Sequence, residues 1–284
     1  MAEKKCTGDK DSRDVIQYLE DNGYYKFLDL IRAAGLEDEL KTAGPFTVFA
    51  PTDAAFTSMP SDLYRHLTED KQFRDNLIKT HILRDVVIMP DVVNDNTVTS
   101  LSGVTLRFNK YSPTLYTVDG ISMTNPDHVV RNGVVHGINH VIIKKNVTSG
   151  EYFATHDSNF RDLFASIIVR GLFHRLSGDA PFTILAPTDK AFEEFRAKLS
   201  HIVNNSTLFE DLLKYHIIPR TYYTIGMTHQ LKLHTLLQGS DITVTRDSSG
   251  LKVNGVPLKT TDISTLNGVV HVIDKVLVPP GLVK

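Results

Sequence analysis

Tryptophan is absent from the 284 residues, and cysteine occurs once. A single cysteine excludes an internal disulfide framework and a multi-cysteine metal site. Cys6 lies in a polar leader, where it reads as an exposed tail thiol or as half of a bridge to a partner outside this stretch. No apolar run approaches the roughly eighteen residues of a bilayer-spanning helix. Met1–Cys6 carries charge with no apolar core behind it, which is not the pattern of a signal peptide. Excess charge is missing too, since 31 basic residues face 33 acidic ones. Neutralising nucleic-acid phosphates requires a basic surplus, so nucleic acid is not an expected partner. A Gly-x-Ser-x-Gly elbow and a glycine-rich phosphate loop leading into a helix are also lacking.

What the chain does have is a long repetition. Pro45-Phe46-Thr47-Val48-Phe49-Ala50-Pro51-Thr52-Asp53-Ala54-Ala55-Phe56 returns at Pro181–Phe192, identical at nine of twelve positions. Asn132-Gly133-Val134-Val135-His136 returns unchanged as Asn267-Gly268-Val269-Val270-His271. The offsets are 136 and 135 residues, the size of a whole domain rather than of a solenoid unit. Two tandem domains are expected, at 12–147 and 148–284. Asn146–Gly150 is the stretch that reads as a linker.

Within one repeat the apolar period changes. Val15, Ile16 and Leu19, then Phe27, Leu28, Ile31 and Ala34, recur at helical spacing, with breaks at Asn22-Gly23 and Gly35. Phe46–Phe49 reads as a short strand ended by Pro51, which lacks a ladder N–H. Thr52 or Asp53 can cap the next helix, and Ser61 a further one through Leu67. After the helix marked by Phe73, Leu77 and Ile78 the pattern turns to alternation, as in Val104–Phe108 and Leu115–Val118 before Asp119-Gly120. Helices first and strands last imply an α+β domain with an antiparallel sheet.

These residues resemble the fasciclin domain. The resemblance rests on the Phe-Thr-Val strand entering Ala-Pro-Thr-Asp-x-Ala-Phe, a His near the end of the mid-domain helix, and the closing Asn-Gly-Val-Val-His-x-Ile. It spans residues 12–281 and implies two β-wedges, each of about seven mainly antiparallel strands flanked by helices. It also implies an extracellular adhesion or matrix protein without an enzymatic site. Expected partners are a cell-surface receptor of integrin type, matrix proteins, or a second copy of the chain. The family's proposed receptor elements map onto Tyr215-His216 and Asp262-Ile263 in the second copy. The first copy keeps only the acid, Asp127, beside His128, and has Thr80-His81 in place of the Tyr-His pair.

Other readings stand beside this one. Tyr215 can be a core aromatic with a satisfied hydroxyl, and Asp262 a turn or cap residue. His81, His136, His216 and His271 read as buried neutral imidazoles. His136 and His140 fall on one face of a strand about 13 Å apart, too far for one zinc ion. No cofactor is expected, and Asp53 and Asp189 read as helix caps rather than as partners of His136 and His271. Asn146-Val147-Thr148 and the overlapping triplets at Asn204 and Asn205 fit the glycan acceptor pattern. The alternative function is a carrier of a small apolar ligand, which needs an apolar cleft between helices and sheet.

Overall fold

The computed structural model describes residues 11–282 apart from 156 and 179, so Cys6 lies outside the described residues. The chain divides into two compact units between Ile143 and Lys144. The first unit runs α1 (Val15–Asp21), α2 (Tyr25–Ala33), α3 (Glu37–Thr42), β1 (Phe46–Pro51), α4 (Asp53–Thr57), α5 (Ser61–Glu69), α6 (Lys71–Thr80) and β2 (Ile82–Leu83). A 3-10 turn at Met89–Asp91 follows, then β3 (Asn96–Thr99), β4 (Thr105–Ser112), β5 (Leu115–Val118), β6 (Ile121–Val130) and β7 (Gly133–Ile138).

The second unit repeats this plan. Its helices are α7 (Ser149–Thr155), α8 (Asp157–Val169), α9 (Phe173–Leu176), α10 (Asp189–Asn204) and α11 (Ser206–Tyr215). Its strands are β8 (Phe182–Pro187), β9 (Ile217–Pro219), β10 (Lys232–His234), β11 (Asp241–Asp247), β12 (Gly250–Val253), β13 (Val256–Thr265) and β14 (Gly268–Ile273), with a 3-10 turn at Thr224–Gly226. Pro60 separates α4 from α5. The second copy has no proline there, and α10 runs through with a kink at Leu199.

Each sheet has seven strands, in the order β2-β1-β7-β6-β5-β4-β3 and correspondingly β9-β8-β14-β13-β12-β11-β10. Pairing is antiparallel except where β1 lies parallel to β7 and β8 parallel to β14. β1 is buried along its whole length, as a central strand covered on both faces is. Its side chains alternate between two cores. Phe46, Val48 and Ala50 meet Val15, Leu19, Phe27, Ile31, Phe56 and Ile78 from the helices. Phe49 joins Leu106, Phe108, Val118 and Ile138 on the strand-only side.

Two local expectations change. Pro60 occupies the cap position of α5 and Ser61 is its first helical residue, with no side-chain capping bond. The stretch expected as a linker belongs to the second unit. Lys145 N–H donates to Ser264 O, Leu266 N–H to Val147 O, and Ser149 N–H to Asn267 Oδ1. These bonds tie the stretch to β13 and the β13–β14 turn of its own unit.

Candidate functional site

The repeated motifs bring the same polar residues to the same places in both copies, and each is used internally. Asn132 Nδ2 donates to Leu40 O (2.7 Å) and Ala43 O (2.9 Å), while its Oδ1 accepts from Val15 N (3.0 Å). One side chain therefore ties the end of α3 to the start of α1. Asn267 does the same with Leu176 O, Gly178 O and Ser149 N. The following glycine lets β7 approach β1: a Cβ at Gly133 would lie 2.2 Å from Phe46 O, and one at Gly268 2.2 Å from Phe182 O. Thr47 and Thr183, both buried, bond backbone in the segments after β2 and β9.

Asp53 and Asp189 hold a different place from the one expected. Thr52 and Thr188 cap the helices that follow. The aspartates reach across to another helix, where Asp53 Oδ1 accepts from Lys26 N (2.9 Å) and Asp189 Oδ1 from Asp162 N (2.8 Å). Tyr24, at the cap position of α2, makes no side-chain capping bond, so Asp53 supplies the missing acceptor.

The four histidines are locked by paired backbone bonds. His136 Nδ1 accepts from Asp127 N (2.9 Å), so its proton sits on Nε2, which donates to Val87 O (2.9 Å). His271 repeats this with Asp262 N (3.2 Å) and Tyr222 O (2.9 Å). His81 and His216 have the opposite tautomer. Their Nε2 atoms accept from Ile142 N and Leu277 N, both at 2.9 Å, and their Nδ1–H groups donate to Leu77 O and Leu212 O, both at 2.8 Å. Burial holds the pKa of His81, His136 and His216 down at about 4. Burial also lowers that of His271, against the opposing pull of the Asp262 carboxylate.

Asp127 and Asp262 sit at irregularities in β6 and β13, at φ +64° and +59°. Aspartate is among the few side chains that adopt this region readily. Asp127 Oδ1 accepts from Met89 N and Asp262 Oδ1 from Thr224 N, both at 2.8 Å, so each caps the first residue of a 3-10 turn. Asp262 also accepts from the Thr224 hydroxyl. Burial raises the pKa of Asp127, with the Met89 amide opposing. Bulge, imidazole and turn thus form a closed unit in each copy.

Of the expected receptor residues, Tyr215 and His216 lie within the scaffold. Tyr215 is 0% exposed and His216 2%. The Tyr215 hydroxyl donates to Asp241 O (3.0 Å) and accepts from Asn254 Nδ2 (2.7 Å), so a direct partner contact by Tyr215-His216 is corrected to a core role. Ile263 packs, partly buried, on the helix-side core. Asp262 and Asp127 keep a partly exposed edge. The structure brings Asp262 to His271 and Thr224, and leaves Tyr215 on the other core with Leu185 and Ile242.

Among the described residues no group of three or more His, Cys, Asp or Glu could hold a metal ion, and no helix is long and apolar enough to cross a membrane. His136 is buried while His140 is exposed beyond the end of β7. The space between helices and sheet is filled by the apolar clusters around Phe27 and Phe56 and around Phe153 and Phe192. Sequence reasoning passed over the exposed aliphatics Ile168, Val169 and Ile225, because periodicity marks which residues are apolar and not which face is left uncovered.

Set beside known proteins, residues 22–144 and 158–279 each match the fasciclin domain family model. The chain belongs to the fasciclin family. It is 30% identical to human periostin over 253 residues, covering 87% of this chain and 30% of periostin. It is also 30% identical to transforming growth factor-beta-induced protein ig-h3 of Sus scrofa, covering 87% of this chain and 37% of that protein. It thus spans about a third of the length of these relatives. A solved FAS1 domain pair from the insect cell adhesion molecule fasciclin I is similar over 93% of this chain and 100% of that one, at 20% identity and a TM-score of 0.46. The two family-model matches and the two seven-stranded sheets flanked by helices make the fold two tandem fasciclin domains.

Proposed function

We propose that this fasciclin pair is a non-enzymatic extracellular module of cell adhesion or matrix assembly. Its partners are a cell-surface receptor of integrin type, a matrix protein or a second copy of the chain. One observation carries the reading. The imidazoles and amides shared by both copies point inward and bond backbone, and the shared carboxylates Asp127 and Asp262 cap 3-10 turns, so the repeated motifs are spent on holding the fold. Family membership supports the adhesion role. Two domains presenting weak contacts in series raise avidity without any tight single site.

Attachment of adherent cells to the immobilised chain tests this, with albumin as the blank. Attachment at the blank level across several cell types sinks the proposal. Because Tyr215 is buried, Tyr215→Phe is expected to leave attachment intact when the fold is intact, whereas Asp262→Ala acts by loosening the turn at Thr224. Exposed Asn146 is a proposed glycan site, and so is one of the exposed pair Asn204 and Asn205. Asn205 Oδ1 caps α11 through Thr207 N and Leu208 N, a bond that a glycan on Nδ2 leaves in place. A mass shift on enzymatic deglycosylation of chain secreted from animal cells checks this, and no shift refutes it.

A further inference from the structure

In both copies a cation meets the phenylalanine ring that opens the central parallel strand, but it comes from a different position in each. In the first, the Arg84 guanidinium lies 5.9 Å from the Phe46 ring centre and is paired with Glu39. Thr47 pairs with Leu83 as Thr183 pairs with Ile218, so the next residue, Arg84 in the first copy, is replaced by Pro219 in the second. The position of Glu39, one residue before the Leu40 and Leu176 carbonyls held by Asn132 and Asn267, is taken by Arg175. Arg175 lies over Phe182 at 6.0 Å, on the equivalent ring, and among the described residues it has no carboxylate partner. The charge pattern is therefore turned over: the acid that paired with the arginine is gone and a cation stands in its place.

This guanidinium borders a cleft of about 520 Å³ within the second unit, lined also by Asp211, Lys214, Leu236, Leu237 and Gln238. Lys214 is tied to Glu210 at 2.7 Å, whereas Asp211 has no ion pair among the described residues. In the helix register set by the caps Asp70 and Asn205, Asp211 stands where the first copy has Asn76, so both unpaired charges are particular to the second domain. Stacking on Phe182 restricts the guanidinium, whose planar fork matches a carboxylate. Leu236 and Leu237, each partly buried against a core, leave an apolar edge beside it, and Asp211 disfavours a doubly charged anion more than a singly charged one.

We infer that this cleft binds a singly charged carboxylate with a short apolar body, seated on Arg175 with its tail on Leu236 and Leu237. The inference is independent of the adhesion proposal. The test titrates the whole chain with sodium butyrate and, separately, sodium sulfate at constant ionic strength, following amide and arginine side-chain NMR signals. Butyrate is expected to shift Leu236, Leu237, Gln238 and the Arg175 Nε–H saturably, at concentrations on the order of millimolar. Arg175→Gln is expected to weaken this at least tenfold. Sulfate should bind more weakly than butyrate, and Asp211→Asn should strengthen sulfate binding several-fold. Unsaturable drift, equal shifts around Glu39 and Arg84 in the first domain, or butyrate binding that survives Arg175→Gln overturns the inference. Equal binding of the two anions removes the selectivity assigned to Asp211.

Discussion

Acidification should destabilise these domains well above the pH at which exposed carboxylates titrate. In the first domain His81 and His136 each accept one backbone N–H, from Ile142 and Asp127. A proton added to either ring would point at that N–H, so the folded state admits only the neutral form. The unfolded pKa is 6.5 and the folded value about 4 for both rings. Between these values the unfolded state holds more protons, so stability rises with pH. The contribution is fully present above about 6.5 and is lost as pH falls toward 4. From pH 7 to pH 5 each ring forfeits about 2 kcal/mol, and the pair about 4 kcal/mol, out of a domain stability of roughly 5–15 kcal/mol. Asp127 opposes this, since burial raises its pKa and favours proton uptake by the folded state, though this acts in the carboxylate range. With a urea slope of about 2 kcal/mol per molar, the unfolding midpoint should drop by about 2 M. Far-UV circular dichroism in urea at pH 7, 6 and 5 measures it, the chain having no tryptophan to report. Ring NMR provides the site-specific check, with Nε2-protonated His136 and His271 and Nδ1-protonated His81 and His216 at neutral pH. A midpoint that does not move between pH 7 and pH 5, or a ring of this set titrating near 6.5 in folded protein, refutes the reasoning.

Three further outcomes follow from the same network. Gly133→Ala and Gly268→Ala should each cost several kcal/mol, on the order of 3, because the new methyl meets a strand carbonyl at 2.2 Å. Gly178→Ala, where the nearest neighbour is at 3.5 Å, should be near neutral in the same urea titration. Asn132→Asp should destabilise the first domain by about 2–4 kcal/mol, since a carboxylate cannot donate to Leu40 O and Ala43 O; an unchanged midpoint counts against the cross-link. Asp262→Gly should tolerate the backbone at φ +59° yet release Thr224, seen as faster amide exchange confined to 222–227, whereas Asp262→Val should lower global stability by about 1–3 kcal/mol.

Much of the helix and strand plan was legible in the residues. Phe27, Leu28 and Ile31 repeat at the spacing that buries one helix face, and Asp119-Gly120 announces a hairpin. The capping threonines were legible to within one residue, since Thr52-Asp53 offers two short polar oxygens and only geometry chooses between them. Asp53 was harder, because its partner amide belongs to Lys26, 27 positions away, and no local pattern marks a bond across that distance. Tyr215 misled for a related reason. A tyrosine on an amphipathic helix suits a rim or a core equally, and the decision lay with Asp241 and Asn254, which β11 and the β12–β13 turn bring to its hydroxyl.

By itself the sequence determined that there are two copies of one α+β domain, since identical polar motifs at a nearly constant offset have to meet similar surroundings. It also determined where helices and strands begin to within a residue or so, because caps, prolines and apolar periods act over a few residues. Only the tertiary structure decided what the shared polar residues are for. Hydrogen bonds between elements far apart in the chain depend on strand register and helix docking, and these turned the histidines, Asn132, Asn267 and the two bulge aspartates into backbone fasteners. The same long-range packing left Arg175 beside a cleft in one domain, where the other has Glu39 paired with Arg84.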